Sequence, residues 1–205
     1  MQKRTGGEIY IGVVGPVRTG KSTFIKRFMD VAVLPYMEDA AQKTRAQDEL
    51  PQSAGGRTIT TTEPKFIPQE AVELKLAGEV TIRVRLVDCV GFMVEGAAGH
   101  LEDGAERLVK TPWYDHEIPF TQAAELGTRK VITDHSTIGV VVTTDGSFSD
   151  LPQETYLDAE NQAISELKKL HKPFLVLVNS SHPSSRTARE AAERIEKQHS
   201  VAAMP

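Results

Sequence analysis

Residues 8–22 read EIYIGVVGPVRTGKS. An apolar, β-branched run stops at a glycine, and the octet Gly15, Pro16, Val17, Arg18, Thr19, Gly20, Lys21, Ser22 fits the spacing GxxxxGK[ST]. That spacing has a physical mechanism. The glycines let backbone N–H groups turn inward around phosphate oxygens, the lysine reaches the β and γ phosphates, the serine hydroxyl ligates Mg²⁺, and the N-terminus of the following helix favours the anion. The flanks suit it, since Glu8 to Val14 reads as a strand and a helix follows from about Lys21 to Val33, ended by Pro35. A ligand-free glycine turn is the bland alternative. The strand before and the helix after disfavour it.

Working outward, short β-branched runs alternate with longer amphipathic segments, the pattern of a parallel sheet with crossover helices. Strands are expected at Pro64 to Pro68, Ala71 to Leu76, Val80 to Val87, Ile138 to Thr143 and Pro173 to Val178. Those at 71–76 and 80–87 form a hairpin turning at Ala77 and Gly78. Helices are expected from near Pro119, over Gln153 to Leu170 and over Thr187 to Gln198. Two long polar stretches, Met37 to Thr62 and Gly91 to Glu117, read as irregular. The fold class is therefore α/β: a phosphate-loop NTPase fold, mainly parallel, with helices on both faces. Ser200 to Met204 reads as the start of another strand, so residues 1–205 read as one domain of a longer protein.

Composition bounds the rest. The chain has 205 residues, 28 acidic against 24 basic, for a net charge of −4. That balance gives no electrostatic reason to expect nucleic acid as a partner. Apolar runs stop after about five residues, far short of the roughly 20 that cross a bilayer, so no transmembrane segment is expected. The single cysteine, Cys89, points to a reducing compartment and reads as a small semi-buried residue, not a nucleophile. The six histidines show no ligand spacing for zinc.

Several further residues bear on chemistry. The run Leu86, Val87, Asp88, Cys89, Val90, Gly91 is a hydrophobic strand ending in a carboxylate, where an aspartate holds the shell of a Mg²⁺ ion. The DxxG spacing places the Gly91 N–H to meet a γ-phosphate. Phe92 follows where related hydrolases carry a water-orienting glutamine, and its side chain cannot hydrogen-bond. Thr60, Thr61 and Thr62 stand just before a strand, either as switch threonines that ligate Mg²⁺ or simply as strand starters. In guanine-specific relatives a later strand ends in NKxD; here Asn179, Ser180, Ser181 and His182 stand there. The guanine-selecting carboxylate is absent, which favours ATP over GTP. Asn179 either contacts the base or caps the following turn. Arg18 either faces the triphosphate as a built-in arginine finger or lies at the surface. Asp145 and Gly146 end a strand where open α/β sheets build sites, or form a turn there. Trp113, Tyr114 and Phe120 either pack the second polar stretch or form an exposed contact surface.

The stretches GPVRTGKST (15–23), RAQDELPQSAGGRTITTTEPKF (45–66), RLVDCVGF (85–92), TPWY (111–114) and IPFTQAAELGTRKVITDHSTIGVVVTTDG (118–146) together resemble the stage IV sporulation protein A family. The resemblance implies a fold akin to the translation-factor-type GTPase class. It also implies a morphogenetic ATPase that hydrolyses ATP with Mg²⁺ and self-assembles into the basement layer of the spore coat. It would lie in the mother-cell cytoplasm at the forespore surface. It places the phosphate-loop lysine at Lys21, the metal-holding aspartate at Asp88 and the sensor threonines at Thr61 and Thr62, so that Ser22, Thr62 and Asp88 would hold Mg²⁺. The bound nucleotide would touch Gly15, Arg18, Thr19, Gly20, Lys21, Ser22, Thr23, Gly91 and Asn179. Partners implied are further copies of the chain, coat proteins and a small amphipathic membrane peptide, the last two through domains beyond these residues. The competing expectations are a GTPase switch with degenerate base recognition and a scaffold that binds nucleotide without turnover.

Overall fold

The computed structural model describes residues 7–51, 63–75, 81–97, 99, 101–102 and 104–205. In chain order the elements are β1 (Glu8–Val14), α1 (Lys21–Phe28), α2 (Ala40–Asp48), β2 (Lys65–Lys75), β3 (Thr81–Asp88), β4 (Leu101–Glu102), β5 (Ala105–Glu106), β6 (Leu108–Thr111), β7 (Tyr114–Pro119), α3 (Phe120–Lys130), β8 (Ile138–Thr144), α4 (Leu157–Lys169), β9 (Phe174–Asn179), α5 (Arg186–His199) and β10 (Ala203–Met204). Six strands form one sheet in the order β10-β9-β8-β1-β3-β2. All neighbours are parallel except β2, which pairs antiparallel with β3.

Period-two alternation sorts the apolar residues of each central strand onto two faces. Val13, Leu86, Val140 and Val142 pack under α1 and α2, with Ile25 and Ala46. Val14, Val87, Val141 and Val176 face the other way, under Ala159, Ala163, Ile164 and Leu167 of α4 and Ala191, Ala192 and Ile195 of α5. α3 buries Phe120, Ala123, Ala124, Gly127 and Thr128, a stripe at helical spacing. Helices therefore cover both faces, as a parallel sheet requires.

Four differences from the sequence expectation have local causes. The first helix does not run regularly to Val33. It loosens into a wide turn at Met29–Val33 and a 3₁₀ turn at Leu34–Tyr36 that holds Pro35. The stretch from Met37 is not wholly irregular, because Asp39 accepts hydrogen bonds from the N–H groups of Ala41 and Gln42 and so starts α2. The strands expected at 64–68 and 71–76 are one bulged strand, β2, whose register shifts between Ile67 and Val72. On this outer strand Pro68 offers no N–H, and the N–H of Gln69 is taken by Glu49 Oε2 at 2.8 Å. Finally, the stretch from Gly91 to Glu117 contains two small antiparallel hairpins, β4–β5 and β6–β7. The turn expected at Ala77 and Gly78 lies outside the described residues.

Strand order reverses at β1, which lies between β3 and β8. The carboxyl ends of β1, β3, β8 and β9 share one edge of the sheet, and such a reversal opens a crevice there. The loop Gly15–Gly20, Asp88, Asp145 and Asn179 follow or end those four strands, which is how residues far apart in sequence come together.

Candidate functional site

The loop after β1 is held by its neighbours on three sides. The Val17 N–H donates to the Phe92 carbonyl at 2.9 Å, and the Phe92 N–H donates to the Gly15 carbonyl at 3.0 Å, a parallel bridge between the loop and the segment after Asp88. Thr19 is fully buried, with Oγ1 2.9 Å from the Pro16 carbonyl and 2.7 Å from that of Val142, so one hydroxyl ties the loop to β8. The Asn179 side chain donates to the Thr19 carbonyl at 2.9 Å. Gly20 has φ +91°, and a Cβ there would lie 2.4 Å from Asn179 Nδ2, so glycine is needed for both the turn and the close approach.

Lys21 opens α1 and is 4% exposed, its Nζ donating to the Pro16 carbonyl at 2.6 Å. Burial holds its pKa below the ordinary lysine value. Asp88, at the end of β3, accepts from the Ser22 hydroxyl at 2.7 Å and from the Cys89 N–H at 3.0 Å. Its carboxyl is raised above the usual range by burial, which outweighs the Ser22 hydrogen bond and the Lys21 charge. Both charges thus sit where desolvation resists them, the setting of a site that gains from a charged ligand. Burial pushes the Cys89 thiol up to about 11, so it is no nucleophile.

The Ser22 hydroxyl and the Asp88 carboxylate are adjacent hard oxygens at the mouth of the loop. Among the described residues no three His, Cys, Asp or Glu side chains gather to form a metal cage. One carboxylate and one hydroxyl suit a cation that takes its remaining ligands from water and phosphate, which is the habit of Mg²⁺. Thr60, Thr61 and Thr62, the expected switch threonines, lie outside the described residues.

Gly91, Asn179 and Arg18 are the remaining residues expected at the nucleotide. The Gly91 N–H donates to the buried Thr128 Oγ1 of α3 at 3.0 Å. One N–H of the Asn179 side-chain amide is taken by the loop carbonyl of Thr19, which ties the end of β9 to the phosphate loop. Arg18 is exposed at the loop tip with φ +60°. Asp145 accepts from the Ser147 N–H at 3.0 Å. Burial pushes its carboxyl up, but hydrogen bonds from Ser147 and Ser180 outweigh this and hold it below the usual value. With Ser180 and His182 it lines a cavity of about 370 Å³ beside the Asn179 loop. Of the aromatic group, Phe120 is core, Tyr114 is 40% exposed, and Trp113 lies under the Lys130 ammonium. Thr128 and the clamping hydroxyl of Thr19 carried no local signal, since each is defined by partners on other elements.

A glycine-tight loop at the reversal of a parallel sheet, a buried lysine and a serine–aspartate oxygen pair define a phosphate-loop NTPase-type domain. The family model of the stage IV sporulation protein A ATPase domain matches residues 1–205, and the chain belongs to that ATPase family. It is 55% identical over 181 residues to stage IV sporulation protein A of Bacillus subtilis (strain 168), covering 88% of this chain and 37% of that protein. It is 51% identical over 205 residues to the Clostridioides difficile (strain 630) protein of the same name, covering 100% and 42%. The Bacillus anthracis protein of that name is 50% identical over 199 residues, covering 97% and 40%. The chain thus spans about two fifths of the length of these curated relatives. Among the described residues no helix is long and apolar enough to cross a membrane.

Proposed function

We propose that this domain hydrolyses ATP to ADP and phosphate with Mg²⁺, and that turnover drives self-assembly of the spore-coat basement layer in the mother-cell cytoplasm at the forespore surface. The observation that carries the reading is the gathering of the buried Lys21 and the Ser22–Asp88 oxygen pair at the end of the phosphate loop. Lys21 neutralises β and γ phosphate charge, and the first N–H groups of α1 bind the anion. Ser22, Asp88 and, from outside the described residues, Thr62 would hold Mg²⁺, which when bound draws charge from the transferring phosphoryl group. Thr61 and Thr62 would sense the γ-phosphate. Gly15, Thr19, Gly20 and Thr23 shape the phosphate cradle, and Asn179 serves it indirectly by fixing the Thr19 carbonyl. Arg18 supplies a second positive charge from the loop tip. Other copies of the chain, coat proteins and a small amphipathic membrane peptide are the proposed partners.

A nucleotide-binding scaffold without turnover is the second reading. It is favoured by Phe92, which is 1% exposed and bridged to the loop, and so presents no group to orient water. Phosphate release with Mg²⁺ and ATP or GTP, measured beside Lys21→Ala, separates the readings. Release from ATP that falls at least a hundredfold in the variant supports the hydrolase. Preference for GTP replaces the nucleotide assignment with that of a GTPase switch. Binding without release favours the scaffold.

A further inference from the structure

We infer that Thr128 is a positioning residue that competes with the nucleotide's terminal phosphate for the Gly91 N–H, so that this single amide reports the phosphate state to helix α3. The inference rests on the nucleotide reading above. The Thr128 hydroxyl is fully buried and donates its proton to the Ala124 carbonyl at 2.8 Å, which leaves a lone pair turned to the Gly91 N–H at 3.0 Å. Gly91 lies directly over the phosphate-binding lysine. Its φ is +104°, and a Cβ there would be 2.5 Å from Lys21 Nζ and 2.5 Å from the Gly15 carbonyl. The segment is fastened on both sides, Asp88 to Ser22 and Phe92 to Gly15 and Val17.

Between these fixed points the peptide entering Gly91 is the unit free to reorient, and glycine removes the steric barrier to doing so. One N–H cannot serve two acceptors in full. A phosphate oxygen is charged and outcompetes a neutral hydroxyl, because charge-assisted hydrogen bonds are roughly twice as strong. ADP offers no γ-phosphate and leaves the amide with Thr128. The consequence reaches beyond the crevice, because α3 begins at a hydrogen bond from the Phe120 N–H to the Arg107 carbonyl at 2.8 Å, beside hairpin β6–β7. That hairpin exposes Leu108 and Tyr114.

The test is equilibrium binding of ADP and of the non-hydrolysable β,γ-imido analogue of ATP, each with Mg²⁺, to the chain and to Thr128→Val and Thr128→Ser. Valine keeps the shape and removes the acceptor. It should tighten the triphosphate relative to ADP by roughly fivefold to tenfold, since the competing bond is gone. Serine should restore the original ratio. An unchanged ratio in all three, or equal weakening of both ligands, overturns the proposal and marks Thr128 as structural. Should the valine variant fail to fold, amide exchange of the unaltered chain decides. Residues 124–128 must exchange differently with the analogue than with ADP, and identical exchange overturns the inference. Binding of neither nucleotide by the unaltered chain overturns the nucleotide reading itself, and the proposal with it.

Discussion

On one side of the crevice, Thr19, Lys21, Phe92 and Thr128 are all buried, and each is held by hydrogen bonds to backbone groups. On the other side, Ser147, Ser181 and His182 are exposed, and the loops after β8 and β9 are joined by serine hydroxyls, with the Ser181 N–H donating to Ser147 Oγ at 2.8 Å. The buried side carries the phosphate loop and the segment bridged to it. The exposed side is built from side chains that can change without disturbing the sheet. The contrast sets a buried wall held through backbone groups against an exposed rim held through side chains, and substitutions on each test how far the two are independent.

The largest effect is expected from Phe92→Ala, which empties a core position and weakens the bridge to the loop. It should cost about 4 kcal/mol of stability by urea denaturation. A cost under about 1 kcal/mol would show that the buried side is not held from within. Gly91→Ala comes next, since its Cβ would strike the Gly15 carbonyl and Lys21 Nζ at 2.5 Å. Strain of roughly 3 kcal/mol is expected, with loss of ATP binding in calorimetry. Asn179→Ala sharpens the comparison. Removing one hydrogen bond to the loop should weaken ATP and GTP equally, by roughly fivefold for about 1 kcal/mol. A changed ATP-to-GTP ratio would instead make Asn179 a base contact.

The smallest effect concerns α2. The N–H groups of Gln42 and Ala41 hold the Asp39 carboxyl below its ordinary value of 3.8. Its capping contribution is therefore present above pH 3.8 and is lost as pH falls through the lower folded value. Amide protection over 41–48 should decline in that window, and Asp39→Asn should remove the dependence while keeping the cap.

The phosphate loop, Asp88 and the parallel sheet were legible because each is enforced locally: glycines where no side chain fits, and β-branched runs where both faces are buried. α2 was hidden because only Ala46 of its nine residues is buried, so no apolar period marks it. The hairpins between Leu101 and Pro119 escaped notice because their strands are short and largely exposed. Asn179 stands out as a polar residue ending a strand, but its partner lies 160 residues away, and only the assembled sheet shows that it ties the loop. Thr128 sits mid-helix, where nothing in its neighbours announces the Gly91 amide.

The outer strand β2 carries its own lesson. A proline without an N–H, a register shift and a glutamate capping the next amide leave that margin with no continuous row of free donors. A neighbouring molecule cannot simply extend the sheet across it in the manner of a fibril. On this margin, contact with a neighbour is left to side-chain surfaces, which can be edited one residue at a time. Growth along this border is discouraged by the strand's own backbone.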